Sequence, residues 1–237
     1  ASRVAWECSS KWEGSEVGRV CRERSCSAVA MYKIPRDVEV ETSRCAEECN
    51  EWIAEHVDGL VCMDCEWTPI CNPLIKYNPV SVVQLATRSS CLVLQVRHMD
   101  TLPQGLVDML ADPDILKLTF AFNNDQKNLC RSFRYQKIFF RNVLDLQTLF
   151  KTQRRLRDIP GMARVAAEVL GVTVDKSCQL SDWDVWPLPA WSVRYASADA
   201  HILLPLARHL CPDKVEMYAP DQLSQPTSDS DSGSVGE

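Results

Sequence analysis

The sequence lacks any run of 18 or more consecutive apolar residues, the length that a helix needs to cross a bilayer. Its first residues contain no apolar segment of the kind that forms the core of a signal peptide. There are no internal repeats, so an array of stacked repeat units is also excluded. The chain begins with Ala1 and not with Met, so we expect a fragment or a processed chain. These absences predict a protein without a membrane span.

What the sequence does contain is typical of one globular domain with extensions. The chain has 237 residues, of which 46% are hydrophobic and 24% are charged, enough for a sizeable core. We assign residues 1–34 to a polar N-terminal extension, 35–212 to the domain and 213–237 to a polar tail. The tail is predicted to be disordered because its composition cannot bury enough apolar surface to offset the cost of ordering.

The 12 cysteines are numerous, but their positions differ in meaning. Cys62 and Cys65 form a C-x-x-C pattern in an apolar run that predicts a strand, so they face opposite sides and are expected to be core residues. The alternative is a zinc or redox site. Cys8, Cys21 and Cys26 lie in a polar region without a histidine at zinc-finger spacing, which leaves only a weak zinc signal. We expect a reducing intracellular compartment, whether nucleus, cytoplasm or an organelle.

The net charge of −6 argues against a protein that coats nucleic acid non-specifically, but this charge is unevenly distributed. The segment 127–157 has nine basic residues and one acid, so it carries +8 and leaves −14 for the rest. Its basic residues are Lys127, Arg131, Arg134, Lys137, Arg141, Lys151, Arg154, Arg155 and Arg157. A local basic patch can hold phosphates, and the alternative is a solvated helix face.

Two acids lie inside the apolar run Leu60–Thr68, whose sequence is LVCMDCEWT. The run predicts a buried strand, and strand residues two apart point to the same side, so Asp64 and Glu66 point together. Two carboxylates on one apolar face repel each other and are costly to bury. Mg²⁺ or Mn²⁺ relieves both problems because these cations take hard oxygen ligands. The alternative is a strand end at which the acids simply reach solvent.

The other apolar patterns predict a mixed sheet. Strands at 60–66, 79–87 and 91–96 follow one another along the chain and are expected to form an antiparallel meander. Strands and helices then alternate, and the last of the helices is predicted at 191–210. This order predicts an α/β fold, in which a sheet of antiparallel and parallel strands is flanked by helices.

Two later stretches carry acids that are expected near the first pair. Asp125 follows a strand and begins a helix, at the kind of strand end where sites form in open sheets. Tyr195 and Asp199 are four residues apart on a predicted helix, so they share a face that is otherwise small and apolar. The alternatives are a helix-start acid for Asp125, and a core tyrosine with a capping or salt-bridged aspartate for the pair.

Three acidic sites of this kind can converge on two cations. Two divalent cations held between carboxylates activate a water molecule and stabilise the leaving oxygen in phosphoryl hydrolysis. In such a site Tyr195 would position or polarise the attacking water.

The acids and the segments around them resemble the DEDDy branch of the 3′–5′ exonucleases, which has a ribonuclease-H-like fold. The pattern comprises, in order, Asp64, Glu66, Asp125, Tyr195 and Asp199. Segments similar to the exonuclease domain of the Werner-syndrome helicase and its relatives are MDCEW, VVQLAT, PQGL, NNDQKNL, LDLQTLF, MARVAAEVLGV, DKSCQLSDWDVWPL and YASADAHILL. They cover about residues 35–212. The DEDDh branch has a histidine five residues before the last aspartate, where this chain has Arg194.

The resemblance implies a metal-dependent 3′–5′ exonuclease that releases nucleoside monophosphates from single-stranded or 3′-end DNA or RNA. It implies that Tyr195 positions the attacking water and that two divalent cations, Mg²⁺ or Mn²⁺, are held by Asp64, Glu66, Asp125 and Asp199. For the substrate, we expect Trp67 to stack on a terminal base or to pack beneath the strand. Lys127 and Arg131 are expected to contact phosphates, and solvation is the alternative for Lys127. The sequence identifies no protein partner.

Two other functions stay open from the sequence. One is a catalytically weak member of the same fold that binds nucleic acid or a protein as a module. The presence of all four acids and the tyrosine disfavours this alternative. The other is an endonuclease of the ribonuclease H type, which shares the fold and the metal chemistry but gives Tyr195 no role.

Overall fold

The structure, a computed structural model, describes residues 29–70 and 77–219. Two predictions lie outside these residues. One is the disorder of the tail from 221 to 237, and the other is the weak zinc signal at Cys8, Cys21 and Cys26. Most of the predicted N-terminal extension also lies outside the described part of the chain.

Eight strands and eight helices form within the described residues. The strands are β1 (Ala30–Met31), β2 (Glu39–Ser43), β3 (Leu60–Glu66), β4 (Val82–Ala86), β5 (Ser90–Gln95), β6 (Leu116–Thr119), β7 (Val143–Asp145) and β8 (Val172–Thr173). The helices are α1 (Ala46–His56), α2 (Gln104–Ala111), α3 (Asn123–Ser132), α4 (Leu146–Gln153), α5 (Met162–Leu170), α6 (Ala190–His201), α7 (Leu203–Leu210) and α8 (Pro212–Tyr218). None of these helices combines the length and the hydropathy that crossing a membrane requires.

Six strands form the central sheet in the order β2-β5-β4-β3-β6-β7. Strands β3, β4 and β5 pair in antiparallel fashion, with Asp64 opposite Gln84 and Val83 opposite Leu94. The pairs β2–β5, β3–β6 and β6–β7 are parallel. The predicted α/β fold, with an antiparallel meander extended by parallel strands, is confirmed. Strands β1 and β8 form a separate two-stranded parallel sheet.

Strand β3 separates two apolar layers because its side chains alternate in direction. Val61 and Cys65 belong to the layer that contains helices α1 and α2 and the apolar face of α3. Leu60 and Cys62 belong to the layer that contains α4, α5, α7 and α8. Cys62 and Cys65 are thus both buried, on opposite faces, and their interpretation as core residues is confirmed.

The prediction of one continuous helix from 191 to 210 is wrong. The structure has two helices there, α6 and α7, with Ile202 between them. Pro205 has no N–H group, so it cannot donate a helical hydrogen bond to the carbonyl of His201. The missing hydrogen bond weakens the helix at this point, and the chain is divided into α6 and α7.

Regular secondary structure continues beyond both domain boundaries drawn from the sequence. Ala30–Met31, which was assigned to the extension, pairs with β8. Beyond residue 212 the chain continues as α8, because Val215 and Ala219 are buried in the same apolar layer as α7. The boundaries at 35 and 212 stay predictions, but the disorder predicted for the tail does not hold at residues 213–218, which belong to α8. Apolar residues that are isolated in the sequence find partners only in the folded chain.

Candidate active site

The carboxyl end of β3 carries Asp64 and Glu66 on the side of the sheet that α6 covers. Leu60 and Cys62 precede them on the same face of the strand and are fully buried. Asp199 of α6 faces this pair, and carboxylate oxygens of the three acids all lie within 4.8 Å of one another. The structure thus brings together three of the four acids that the sequence singled out.

Burial makes these carboxylates hard to ionise on their own. It raises the pKa of Asp64 and the pKa of Glu66, and the nearby charge of Asp64 raises the latter further. Burial and then the charge of Asp64 raise the pKa of Asp199 to about 8, although a hydrogen bond with Tyr195 opposes the increase. Within residues 29–70 and 77–219, no lysine or arginine forms an ion pair with any of these acids. A divalent cation, which takes hard oxygen ligands, fits this donor set.

Asp125 borders this group without joining it. It is buried in the first turn of α3, just beyond the end of β6. Its oxygens lie outside the 4.8 Å group of the other three acids in the described chain. Its pKa is nevertheless raised, first by burial and then by the charge of Asp64, so the two carboxylates interact across the end of the sheet.

Tyr195 lies one helical turn before Asp199 and packs in an apolar cluster beneath α6. Its ring centroid is 5.9 Å from that of Trp183, which is fully buried. Val82 and Val93 of the sheet complete the packing around the two rings. Burial and then the charge of Asp199 raise the pKa of Tyr195, so its hydroxyl keeps its proton. The sequence predicted that Tyr195 and Asp199 share an inward face, and the structure has that arrangement.

Hydrogen bonds fasten the chain that follows β3 to the loop before α6. The backbone N–H of Trp183 donates to Oγ1 of Thr68 at 3.0 Å, and the Thr68 hydroxyl donates to Asp182 at 3.2 Å. The side-chain amide of Asn78 donates to the carbonyl of Thr68 at 2.6 Å. These bonds fix the position of Trp67, the residue between Thr68 and the acids.

A cleft of about 380 Å³ opens at the acids, a size typical of small-molecule sites. Residues that sequence reasoning did not assign to the site also line it, among them Phe120, Met162, Gln179 and Leu180. Gln179 and Leu180 lie in the segment DKSCQLSDWDVWPL, so that motif was the signal that could have found them. Met162 begins the segment MARVAAEVLGV, which was a signal of the same kind, whereas no quoted motif contains Phe120.

The three residues expected to bind substrate lie in different environments. Trp67 lines the cleft and also packs partly against the core, so its position is compatible with both roles expected for it. Lys127 and Arg131 are exposed on α3, and neither lines the cleft. The contact of Lys127 and Arg131 with phosphates therefore stays a prediction.

A sequence model of the 3′–5′ exonuclease family matches residues 40–213, well over half of the chain. This chain belongs to the 3′–5′ exonuclease family. The matched span contains all four acids and Tyr195, so the resemblance first seen in the motifs is confirmed at the level of the family.

Curated relatives share part of their length with this member of the family. The human exonuclease mut-7 homolog is 28% identical over 187 residues, which are 70% of this chain and 21% of that protein. The mouse bifunctional 3′–5′ exonuclease/ATP-dependent helicase WRN is 30% identical over 148 residues, 61% of this chain and 10% of that protein. The chain therefore corresponds to about a fifth or less of the length of these two relatives.

A solved structure shows the same fold. The EXO domain of Nibbler from Aedes aegypti superimposes with a TM-score of 0.63 at 21% sequence identity. The superposition covers 78% of this chain and 92% of that domain. The ribonuclease-H-like fold expected for this 3′–5′ exonuclease family member is thereby confirmed.

Proposed function

We propose that this chain is a metal-dependent 3′–5′ exonuclease. It hydrolyses phosphodiester bonds from the 3′ end of single-stranded DNA or RNA and releases nucleoside monophosphates. The observation that carries the proposal is the group formed by Asp64, Glu66 and Asp199, whose oxygens lie within 4.8 Å of one another. Membership of the 3′–5′ exonuclease family supports the same activity.

Asp64, Glu66, Asp125 and Asp199 would hold two divalent cations, Mg²⁺ or Mn²⁺. Three of these carboxylates already form a compact set of oxygen donors, and no basic side chain of the described residues competes for them. Asp125 interacts electrostatically with Asp64 from the border of the group. From this position Asp125 would be a ligand of the second cation. Bound cations of this kind lower the pKa of a water molecule and neutralise charge on the leaving oxygen.

Tyr195 would orient the attacking water. Its raised pKa keeps the hydroxyl protonated, so the phenol can donate one hydrogen bond and accept another. Packing against Trp183 fixes the ring and hence the position of the hydroxyl. A fixed donor and acceptor at this point would hold the water in line with the scissile phosphate.

The apolar parts of the cleft would take the base and sugar of the terminal nucleotide. Trp67 offers an aromatic surface for stacking, and Leu180 is 84% exposed at the same cleft. Stacking and phosphate contacts are tolerant of sequence, so we expect no base specificity. The choice between DNA and RNA depends on contacts to the sugar of the bound strand.

We also propose that the protein acts in a reducing, intracellular compartment. All the cysteines of the described residues are free, among them the exposed Cys130. Secreted proteins of similar cysteine content commonly pair these residues in disulfides.

The test compares one oligonucleotide labelled at its 5′ end with the same oligonucleotide labelled at its 3′ end, in the presence of Mg²⁺ or Mn²⁺. Stepwise shortening of the first and early release of a labelled mononucleotide from the second are expected. Internal cuts would instead indicate an endonuclease. Binding without products would indicate a module that has lost catalysis.

Asp64→Ala provides the matched variant for this assay. Loss of one carboxylate should remove a cation ligand and abolish product formation, while circular dichroism shows an unchanged fold. A folded Asp64→Ala protein that digests the oligonucleotide at the wild-type rate would contradict the assignment of the acids.

A further inference from the structure

A second cavity, of about 950 Å³, lies beside the catalytic cleft and has no part in the reaction proposed above. Its lining comes from the segment 31–40, from residues 174–178 and from the face of α6 between Trp191 and Asp199. We call it the α6 groove. Tyr195 and Asp199 line both the α6 groove and the catalytic cleft, so the two are contiguous at the acids.

The charged groups of the α6 groove favour an anionic occupant. Lys33, Arg36 and Arg194 line it and are all exposed. None of the three forms an ion pair within the described residues. The acids in the lining are Asp199, which is assigned above to cation binding, and Asp175. Three cations therefore face one acid that has no assigned role.

Asp175 is already engaged by the protein. Its carboxylate accepts a hydrogen bond of 2.8 Å from the backbone N–H of Ser177. This bond lowers the pKa of Asp175, so its carboxylate stays ionised. Its single negative charge is outnumbered by the three cations Lys33, Arg36 and Arg194 of the same lining.

The α6 groove also has surfaces on which nucleobases can stack. Trp191 is 48% exposed and Tyr32 is partly buried, and both belong to the lining. Aromatic side chains combined with a basic groove are the usual means by which proteins hold single strands, because every base has a face that can stack. The apolar residues of segment 31–40 add contact area for the same bases.

We propose that the α6 groove binds the single-stranded segment of nucleic acid that leads to the 3′ end held at the acids. The proposal rests on the proposed exonuclease function. From Trp191 to Asp199 the helix rises by about 12 Å, so the groove extends well beyond the space of the terminal nucleotide. Phosphates would meet Lys33, Arg36 and Arg194, and bases would stack on Trp191.

The experiment measures binding of a fluorescent single-stranded oligonucleotide of about 12 residues, a length in the usual range for such grooves, by anisotropy in EDTA. EDTA prevents metal-dependent cleavage, so binding is read even if the protein proves to have no exonuclease activity. Lys33→Glu in the groove is compared with Lys214→Glu, an exposed lysine on α8 that does not line it. The two substitutions change the net charge equally.

Lys33→Glu should weaken binding about fivefold and make the negative slope of log K against log salt shallower by about 0.7, the signature of one lost phosphate contact on a single strand. Lys214→Glu should bind as the wild type does. Trp191→Ala should weaken binding with an unchanged salt slope, because stacking involves no counterion release. In cleavage assays, the KM of Lys33→Glu should rise more for this oligonucleotide than for a dinucleotide, which is too short to follow the groove.

The proposal would be overturned if the wild type, Lys33→Glu and Trp191→Ala bound the oligonucleotide with equal affinity. The α6 groove would then be a candidate site for a protein partner instead. Equal losses on the dinucleotide and on the longer strand would also overturn it, because they would indicate damage to Tyr195 and Asp199. A different result would show that the proposed exonuclease function is wrong. In that case neither the wild type nor any of these variants would shorten the strand.

Discussion

The replacement Asp199→Asn tests the electrostatics of the acid group without removing its packing. Asp199 shares a site with Asp64 and Glu66, and no basic side chain of the described residues offsets their charges. Asparagine keeps the size of the side chain and an oxygen that can accept the hydrogen bond from Tyr195. It removes one negative charge and one of the proposed cation ligands.

The direction of the effect follows from the pKa of Asp199, which rises from its ordinary 3.8 to about 8 in the folded protein. The folded chain therefore holds this proton more tightly than the unfolded chain does. As pH rises from about 4 to about 8, the unfolded state gains its charge freely while the folded state does not, so Asp199 destabilises the fold increasingly through this window.

A difference of about four pKa units corresponds to at most about 6 kcal/mol at pH 8. Protons shared with Asp64 and Glu66, and relaxation around the charges, reduce this figure. We expect Asp199→Asn to raise the free energy of unfolding at pH 8 by about 1–3 kcal/mol, and the gain to shrink towards pH 4. Asp100→Asn, at an exposed position, is the control and should change little.

The assay is urea denaturation followed by circular dichroism at pH 5 and pH 8, first in EDTA and then with Mn²⁺. Mn²⁺ should stabilise the wild type through preferential binding to the folded state, and it should stabilise Asp199→Asn much less. The reasoning would be refuted if Asp199→Asn in EDTA at pH 8 were less stable than the wild type. That result would mean that the protein itself holds the ionised carboxylate favourably.

Three further predictions concern the water, the basic segment and one turn. Tyr195→Phe should lower turnover about 10²–10⁴-fold while Mn²⁺ still binds, and a single-turnover rate within about threefold of wild type would exclude a role for the hydroxyl. The double replacement of Arg154 and Arg155 by Glu should raise KM at low salt, with a difference that fades as salt increases; an identical salt profile would show that this face meets only solvent. Gly59→Ala should lower the melting temperature because Gly59 has φ +72° and an added Cβ would overlap the carbonyl oxygen of Tyr218. Gly161→Ala, whose Cβ would meet nothing within 4 Å, is its control and should melt near the wild type.

The sequence was sufficient for the features that depend on local pattern. Alternation along Leu60–Glu66 put Asp64 and Glu66 on one face, and helical spacing put Tyr195 beside Asp199. Both relations follow from the geometry of a single element, and the structure has both. The order of the apolar segments likewise predicted the meander and the parallel strands that extend it.

The tertiary structure alone decided the relations between elements distant in sequence. Asp199 lies with the acids of β3, and Asp125 lies at the border of this group. Both positions depend on how α6 and α3 pack on the sheet. Tertiary contacts likewise determine that Leu180 lines the cleft at the acids and that Ala30–Met31 pairs with β8. Periodicity reports which face of an element is apolar, but not which other element covers it. The partner is selected by the shape and burial of the whole core, to which residues far apart in the chain contribute together.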